Sequence, residues 1–209
     1  MTTDDISGGL DATNYVVTGF FTPDYREMAR GFASNLAAHS IPRMLYSWEP
    51  GSWQASTLAK PVVVLRAMRD FPNRTIVLMD VDCEVRGPVG SILDFAADVS
   101  LFIGVGLHPQ NEPGWRMRAI PSSRIIVFKQ TSGARQLLAS WQEFCDDGES
   151  EISDEMLLMR AIGVTQGLTL AMLDRRFAAR NPWDCPIDAV IVHNTVSRLS
   201  PSRGLHSKP

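Results

Sequence analysis

Residues 75–79, TIVLM, form an unbroken apolar or β-branched run that ends in Asp80-Val81-Asp82. A strand whose apolar residues do not alternate with polar ones is covered on both faces. A chain built around it must therefore place helices on both sides of a sheet. YVVTGFF from Tyr15 reads as an equally apolar first strand, and RMLYSW as a second. VSLFIGV and SRIIVF read as a fourth and a fifth, and LTLAML and DAVIVH as late strands. Between them, Tyr25, Met28, Ala29, Phe32 and Leu36 recur at helical spacing and predict an amphipathic helix over 23–39. Thr22 is its cap and Pro23 lies in its first turn. Val62, Leu65 and Met68 mark a second helix, with Pro61 at its start. SILDFA is a short helix, and Ala134, Leu137, Leu138, Trp141 and Phe144 mark a longer one. Ser153 caps a last helix running to about Ile162. Strands alternating with helices predict an α/β fold with a mixed, mostly parallel sheet flanked by helices.

The 209 residues match one domain on the usual scale of ~100–200 residues. We expect a single domain over 14–198, with polar, flexible ends at 1–13 and 199–209. A net charge of -3 gives no footprint for a polyanionic partner such as nucleic acid. Cys83, Cys145 and Cys185 are widely spaced with no CxxC pair, which argues against a zinc site or disulfide framework and suits a reducing, cytoplasmic setting. The polar start MTTDDISGG predicts no signal peptide, and no apolar run reaches the ~18 residues of a membrane helix. The sequon Asn73-Arg74-Thr75 is treated as chance.

Side chains two apart on a strand point the same way, so Asp80 and Asp82 project together if the chain stays extended. Two adjacent carboxylates repel unless a cation or hydrogen-bond donors offset them. A hard divalent cation with oxygen ligands does this and is commonly shared with substrate phosphates. In open α/β sheets, ligands bind beyond the carboxyl ends of the strands, where this pair lies. A second reading uses the same local pattern: haloacid-dehalogenase-type phosphatases carry DxD after a strand, with the first Asp as nucleophile. Their strand usually lies near the N-terminus, whereas two strand candidates precede this one, and Glu occupies position 84. There is no P-loop, HExxH or GxSxG, and Gly104-Val105-Gly106 is no dinucleotide fingerprint.

The stretch AKPVVVLRAMRDFPNRTIVLMDVDCEVRGPV resembles the core of the GT-A-type nucleotide-diphospho-sugar glycosyltransferases, where a helix opened by Lys precedes a strand ending in DxD. YVVTGFFTPDY resembles their first strand and nucleotide-binding turn. SSRIIVFKQTSGARQLLASWQEF, ISDEMLLMRAI and VIVHNTVSR resemble their later strand and helix, their acidic helix and their C-terminal strand. The chain departs at Ser122-Ser123-Arg124, where many relatives carry Asn-Ser-Gly.

The resemblance implies a metal-dependent transferase acting on a nucleoside diphosphate sugar, with UDP-sugars as first candidates, an acceptor hydroxyl and Mn²⁺ or Mg²⁺. It implies Asp82 as direct metal ligand and Asp80 at the ribose and the metal shell. It implies His193 as a third ligand; the other reading of His193 is a strand-end histidine bonded to a backbone carbonyl. Thr18, Gly19 and Phe20 fall where the family holds the nucleoside, or else form a turn and a core aromatic. Lys60 and Arg66 reach phosphate or sugar, or are helix-face cations. Trp53 stacks on base or sugar, or packs a loop. Asp154 and Glu155 face sugar and acceptor, one as general base if the enzyme inverts or as stabiliser of the cationic centre if it retains. An acidic first turn is also what any helix dipole favours. His108, in the Pro/Gly-rich GLHPQNEPGW, reads as a solvated residue of a loop over the site. A non-catalytic nucleotide-sugar-binding module remains the third reading.

Overall fold

A computed structural model describes residues 4–11, 13–49, 56–109, 115–147, 152–181 and 184–194, with backbone alone at 106–109 and 115–118. The strands are β1 (Ile6–Gly8), β2 (Tyr15–Phe21), β3 (Arg43–Ser47), β4 (Thr75–Met79), β5 (Cys83–Val85), β6 (Val99–Pro109), β7 (Trp115–Phe128), β8 (Leu170–Met172), β9 (Ala179–Arg180) and β10 (Ile191–His193). The helices are α1 (Arg26–Ala38), α2 (Lys60–Asp70), α3 (Ser132–Asp146) and α4 (Asp154–Val164). Among the described residues, seven strands form one sheet in the order β1-β3-β2-β4-β7-β6-β8, and three form a small second sheet, β5-β10-β9. The main sheet is mixed: β2 runs parallel to β3 and β4, and β6 to β8, while β1, β4 and β6 each have an antiparallel neighbour.

The unbroken apolar run of β4 is explained by what covers it. Ile76 and Leu78 point into a core with Val63, Val64, Ala67 and Met68 of α2, Leu137 and Trp141 of α3, and Leu157 and Leu158 of α4. Val77 and Met79 point into a second core with Ala29, Phe32 and Leu36 of α1 and Cys83 and Val85 of β5. Both faces are dry, so no position on the strand calls for a polar residue.

The expected helix starts fare differently. Ser153 Oγ accepts from the Met156 N–H to cap α4, whereas Thr22 caps nothing: its hydroxyl donates to Asp24, a 3-10 turn over Pro23–Tyr25 follows, and α1 starts only at Arg26. SILDFA is shorter than expected, a 3-10 turn over Gly90–Leu93. Two further expectations are corrected. Residues 6–8, placed in a flexible end, form the edge strand β1 antiparallel to β3. Asp5 anchors it: its Oδ1 accepts from the Ser47 N–H at 2.9 Å and its Oδ2 pairs with Arg66 Nη2 at 3.0 Å. The stretch around His108 is not a loop there, because β6 continues to Pro109 and pairs His108 with Arg116. The tail 199–209 lies outside the described residues.

Gly19 is required by the sheet itself. A Cβ built on it would lie 2.5 Å from the Met79 carbonyl oxygen, which is sheet backbone and cannot swing aside. Gly19→Ala should therefore destabilise the fold by about 1–3 kcal/mol, which lowers Tm by about 2–4 °C per kcal/mol in a chain of this size. An unchanged Tm in calorimetry would show that β2 and β4 separate freely.

Candidate active site

The carboxyl ends of β3, β2 and β4 lie side by side. In the ladder, Thr18 faces Leu78 and Phe20 faces Tyr46. Two residues beyond Leu78, Asp80 keeps the direction of Ile76 and Leu78, towards α2. Its N–H donates to the Arg124 carbonyl at 3.0 Å, which extends the β4–β7 ladder by one residue.

Lys60, the first residue of α2, reaches into this corner. Its Nζ lies 3.1 Å from Asp80 Oδ1 and 2.9 Å from Asp154 Oδ2. The same ammonium donates to Ser123 Oγ at 3.0 Å and to the Ser123 carbonyl at 3.2 Å. Ser123 Oγ in turn donates to Asp154 Oδ2 at 2.7 Å. The Lys60 side chain is 6% exposed, so the ammonium is held almost out of water. Burial alone would lower its pKa, but Asp154 and Asp80 outweigh it and raise it above the ordinary lysine value. The charge relief that the adjacent carboxylates need is thus partly built into the chain.

The second cation comes from the small sheet. β10 pairs antiparallel with β5 and sets His193 opposite Cys83, next to Asp82. The Asn194 N–H donates to the Asp82 carbonyl at 3.0 Å and fixes the two segments together. His193 Nε2 lies 3.1 Å from Asp82 Oδ1 and 3.7 Å from Asp80 Oδ2. One ligand atom from each of Asp80, Asp82 and His193 falls within 4.8 Å of the others. Two carboxylates and an imidazole nitrogen at this spacing suit Mn²⁺ or Mg²⁺, with the imidazole favouring the former. Burial opposes the imidazolium, but contacts with both aspartates outweigh it and hold the His193 pKa above its usual value. Burial likewise pushes the Asp82 carboxyl up, and the hydrogen bond and charge of His193 outweigh it and bring the pKa down. These are the two sides of one contact and count once.

Glu155 completes the group. It lies in the first turn of α4 beside Asp154. Burial, then the charge of Asp154, raises its pKa, against the opposing charges of Arg124, Lys60 and Arg180.

The structure thus gathers Lys60, Asp80, Asp82, Asp154, Glu155 and His193. Thr18 and Gly19 lie at the same edge but serve the sheet: Thr18 is fully buried and its hydroxyl donates to the Met44 carbonyl at 3.0 Å. Phe20 is half-buried and meets Trp48 edge-on, with ring centroids 6.1 Å apart. Arg66 is committed elsewhere, to Asp5, to Asp70 and, 4.1 Å above its ring, to Tyr46. Trp53 lies outside the described residues, as does the His108 side chain. Sequence reasoning passed over Trp48, Ser123 as a partner of Lys60, and Arg124 and Arg180 as charges near Glu155. The departure at Ser122-Ser123-Arg124 was the one available signal for Ser123 and Arg124.

No family model and no curated protein matches the chain. Solved structures do. A glycosyltransferase involved in glycosylation of the major capsid of PBCV-1 superposes with a TM-score of 0.61 at 12% identity, over 87% of this chain and 93% of that one. The galactosyltransferase LgtC, in complex with donor and acceptor sugar analogs, gives 0.55 at 9% identity, over 92% and 90%. GlyE of Streptococcus pneumoniae TIGR4 gives 0.53 at 12% identity, over 87% and 54%. The chain has the GT-A glycosyltransferase fold, with its DxD aspartates at the end of a central strand.

Two outcomes follow. Lys60→Met leaves Asp80 and Asp154 facing each other without their ammonium, and loss of one partner from a buried pair costs about 3–5 kcal/mol. Denaturant unfolding should show this, and a loss below about 1 kcal/mol would mean that water reaches the site freely. His193 has a raised folded pKa, so its stabilisation is full below the unfolded value of about 6.5 and is lost as pH rises through the folded value. The Tm of the metal-free protein should accordingly fall more steeply between pH 6 and 9 in the parent than in His193→Asn. Parallel profiles would show that the imidazole stays neutral.

Proposed function

We propose that the chain is a metal-dependent glycosyltransferase that moves a sugar from a nucleoside diphosphate sugar to an acceptor hydroxyl. The observation that carries this reading is the meeting of Asp80, Asp82 and His193, from β4, its exit and β10, at the strand ends of a GT-A sheet. Those three residues would hold Mn²⁺ or Mg²⁺, with Asp82 and His193 as direct ligands. The bound cation would offer coordination positions to the diphosphate oxygens and neutralise the charge left on them. The nucleoside lies along the ends of β2 and β3, where Phe20 and Trp48 offer ring edges and faces. UDP-sugars are the first donors to test. That LgtC was crystallised with donor and acceptor sugar analogs supports a donor site at this edge.

The chain's own groups divide the remaining work. Asp154 Oδ2 is engaged by both Lys60 and Ser123, which makes it a fixed charge rather than a mobile base. Glu155 has no ion pair or hydrogen bond among the described residues, and burial together with the Asp154 charge raises its pKa, which makes a proton on it easier to retain. It is the residue to face the acceptor hydroxyl in an inverting reaction, or the cationic sugar carbon in a retaining one. The dehalogenase-type reading would need Asp80 as a free nucleophile, but both its oxygens lie within 3.4 Å of Lys60 Nζ. A binding module without catalysis would bind nucleotide and transfer nothing.

Isothermal titration with UDP, GDP, ADP and CDP, with and without Mn²⁺, tests the donor site. The favoured nucleotide should bind about 5–150-fold tighter with the cation, and Asp82→Asn should abolish that gain while the fold persists. Metal affinity should also weaken as pH drops through the raised pKa of His193, because the proton and the cation compete for one nitrogen. Equal affinities with and without Mn²⁺ would sink the metal-bridged site. Release of phosphate from p-nitrophenyl phosphate would favour the phosphatase.

A further inference from the structure

The site has an order along the sheet edge. Trp48 and Asp80 lie just past the ends of β3 and β4, Phe20 is next to last in β2, and Arg124, within β7, lies opposite Asp80, in the strand order β3, β2, β4, β7. If the diphosphate lies at Asp80 and the nucleoside towards β2 and β3, β7 flanks the opposite side, where the transferred sugar must lie. Arg124 occupies that flank. Its carbonyl is fixed by the Asp80 N–H at 3.0 Å, and its Nε donates to Ser122 Oγ at 3.0 Å. The next residue, Ser123, holds Lys60 and Asp154.

The Arg124 guanidinium is half-buried, yet its two terminal nitrogens have no hydrogen-bond or ion-pair partner among the described residues. Asp80 and Asp154 are taken by Lys60, and Glu155 makes no ion pair with Arg124, although its charge is felt there. An arginine on the rim of a four-acid cluster thus keeps its fork open. The rigid fork matches the two oxygens of a carboxylate or phosphate.

We propose that Arg124 is an anion handle on the sugar side of the site, binding a carboxylate or phosphate group borne by the transferred sugar. The inference rests on the donor reading above. Ser122 fixes the guanidinium plane through Nε, and Ser123 ties the same turn of chain to Lys60 and Asp154. A sugar held between Arg124 and Glu155 meets a cation on one side and a carboxyl with a raised pKa on the other.

The test is titration calorimetry on the Mn²⁺-loaded full chain, using UDP, UDP-glucose and UDP-glucuronate, or GDP, GDP-mannose and GDP-mannuronate if GDP is the preferred base. A second arm compares glucose with glucose 6-phosphate on the nucleotide-saturated protein and separates phosphate from carboxylate. One of the two anionic ligands should bind about tenfold tighter than its neutral partner, the size of a charged hydrogen bond. Arg124→Gln should erase that preference and leave the nucleoside diphosphate affinity unchanged. Arg124→Lys, which keeps the charge without the fork, should restore part of it. The absence of preference in both arms overturns the proposal. An Arg124→Gln variant that weakens the nucleoside diphosphate as much as its sugars also overturns it, because the guanidinium then serves the diphosphate. If no nucleoside diphosphate binds with Mn²⁺, the donor reading falls and the handle with it. A matching Tm for parent and variant excludes misfolding as the cause.

Discussion

The Lys60 ammonium is the contact on which the rest of the site depends. Asp80 and Asp154 come from different elements, and each would repel the other in a space that excludes water. One buried cation, 3.1 and 2.9 Å from them, turns that repulsion into a tie between α2, β4 and α4. Ser123 adds β7 to the tie through two contacts with the same ammonium. The position of Lys60 is itself fixed by packing, because Val63, Val64, Ala67 and Met68 on the same helix are fully buried against the sheet. A long flexible side chain would otherwise lose much rotamer freedom by holding one geometry. Here the helix core has already set where its stem begins.

His193 acts on the other side of Asp80 by a different means. Its position comes from the short β5–β10 ladder, which also brings Asn194 onto the Asp82 carbonyl. Where Lys60 stays charged throughout, the imidazole, its pKa held above the ordinary histidine value, can exchange a proton for a cation. The site therefore has one permanent positive charge and one replaceable one. The replaceable charge lies beside Asp82, and the permanent one between Asp80 and Asp154.

The parts of this arrangement that sequence revealed are those written in local pattern. The run 75–79 is β4 residue for residue, because a strand buried on both faces needs nothing but apolar side chains. Ser153 marked the start of α4, since unpaired amides there call for a cap, whereas the Thr22 hydroxyl turns to Asp24 and leaves the start of α1 to Tyr25. β10 falls inside the expected strand DAVIVH, but β5 was not legible: three residues long, it gains its identity only by pairing with β10 across about a hundred positions of chain. β1 looked like a polar tail because Asp5 reads as solvated until Arg66 and the Ser47 amide are seen to take it up. The same contact removes Arg66 from the site, and spacing along α2 does not reveal it. Gly19 reads in sequence as a point of close approach to a ligand, whereas its lack of a side chain answers to the Met79 carbonyl.

Commitment separates the acids of the cluster more sharply than position in sequence does. Asp154 and Glu155 are neighbours at a helix start, and sequence treats them alike. Asp154 gives one oxygen to both an ammonium and a hydroxyl, so moving it means breaking those contacts. Glu155 keeps its carboxyl uncommitted, and burial together with the Asp154 charge makes its proton easier to retain. The fixed acid also tunes the free one: holding Asp154 ionised beside Glu155 raises the cost of a second charge there. The Lys60 charge acts the other way and lowers the Glu155 pKa. That effect falls off with distance from the ammonium, whereas Asp154 is the adjacent residue, and the net displacement is upward. A carboxyl with a raised pKa is thus obtained from two neighbouring acids of which only one is paired.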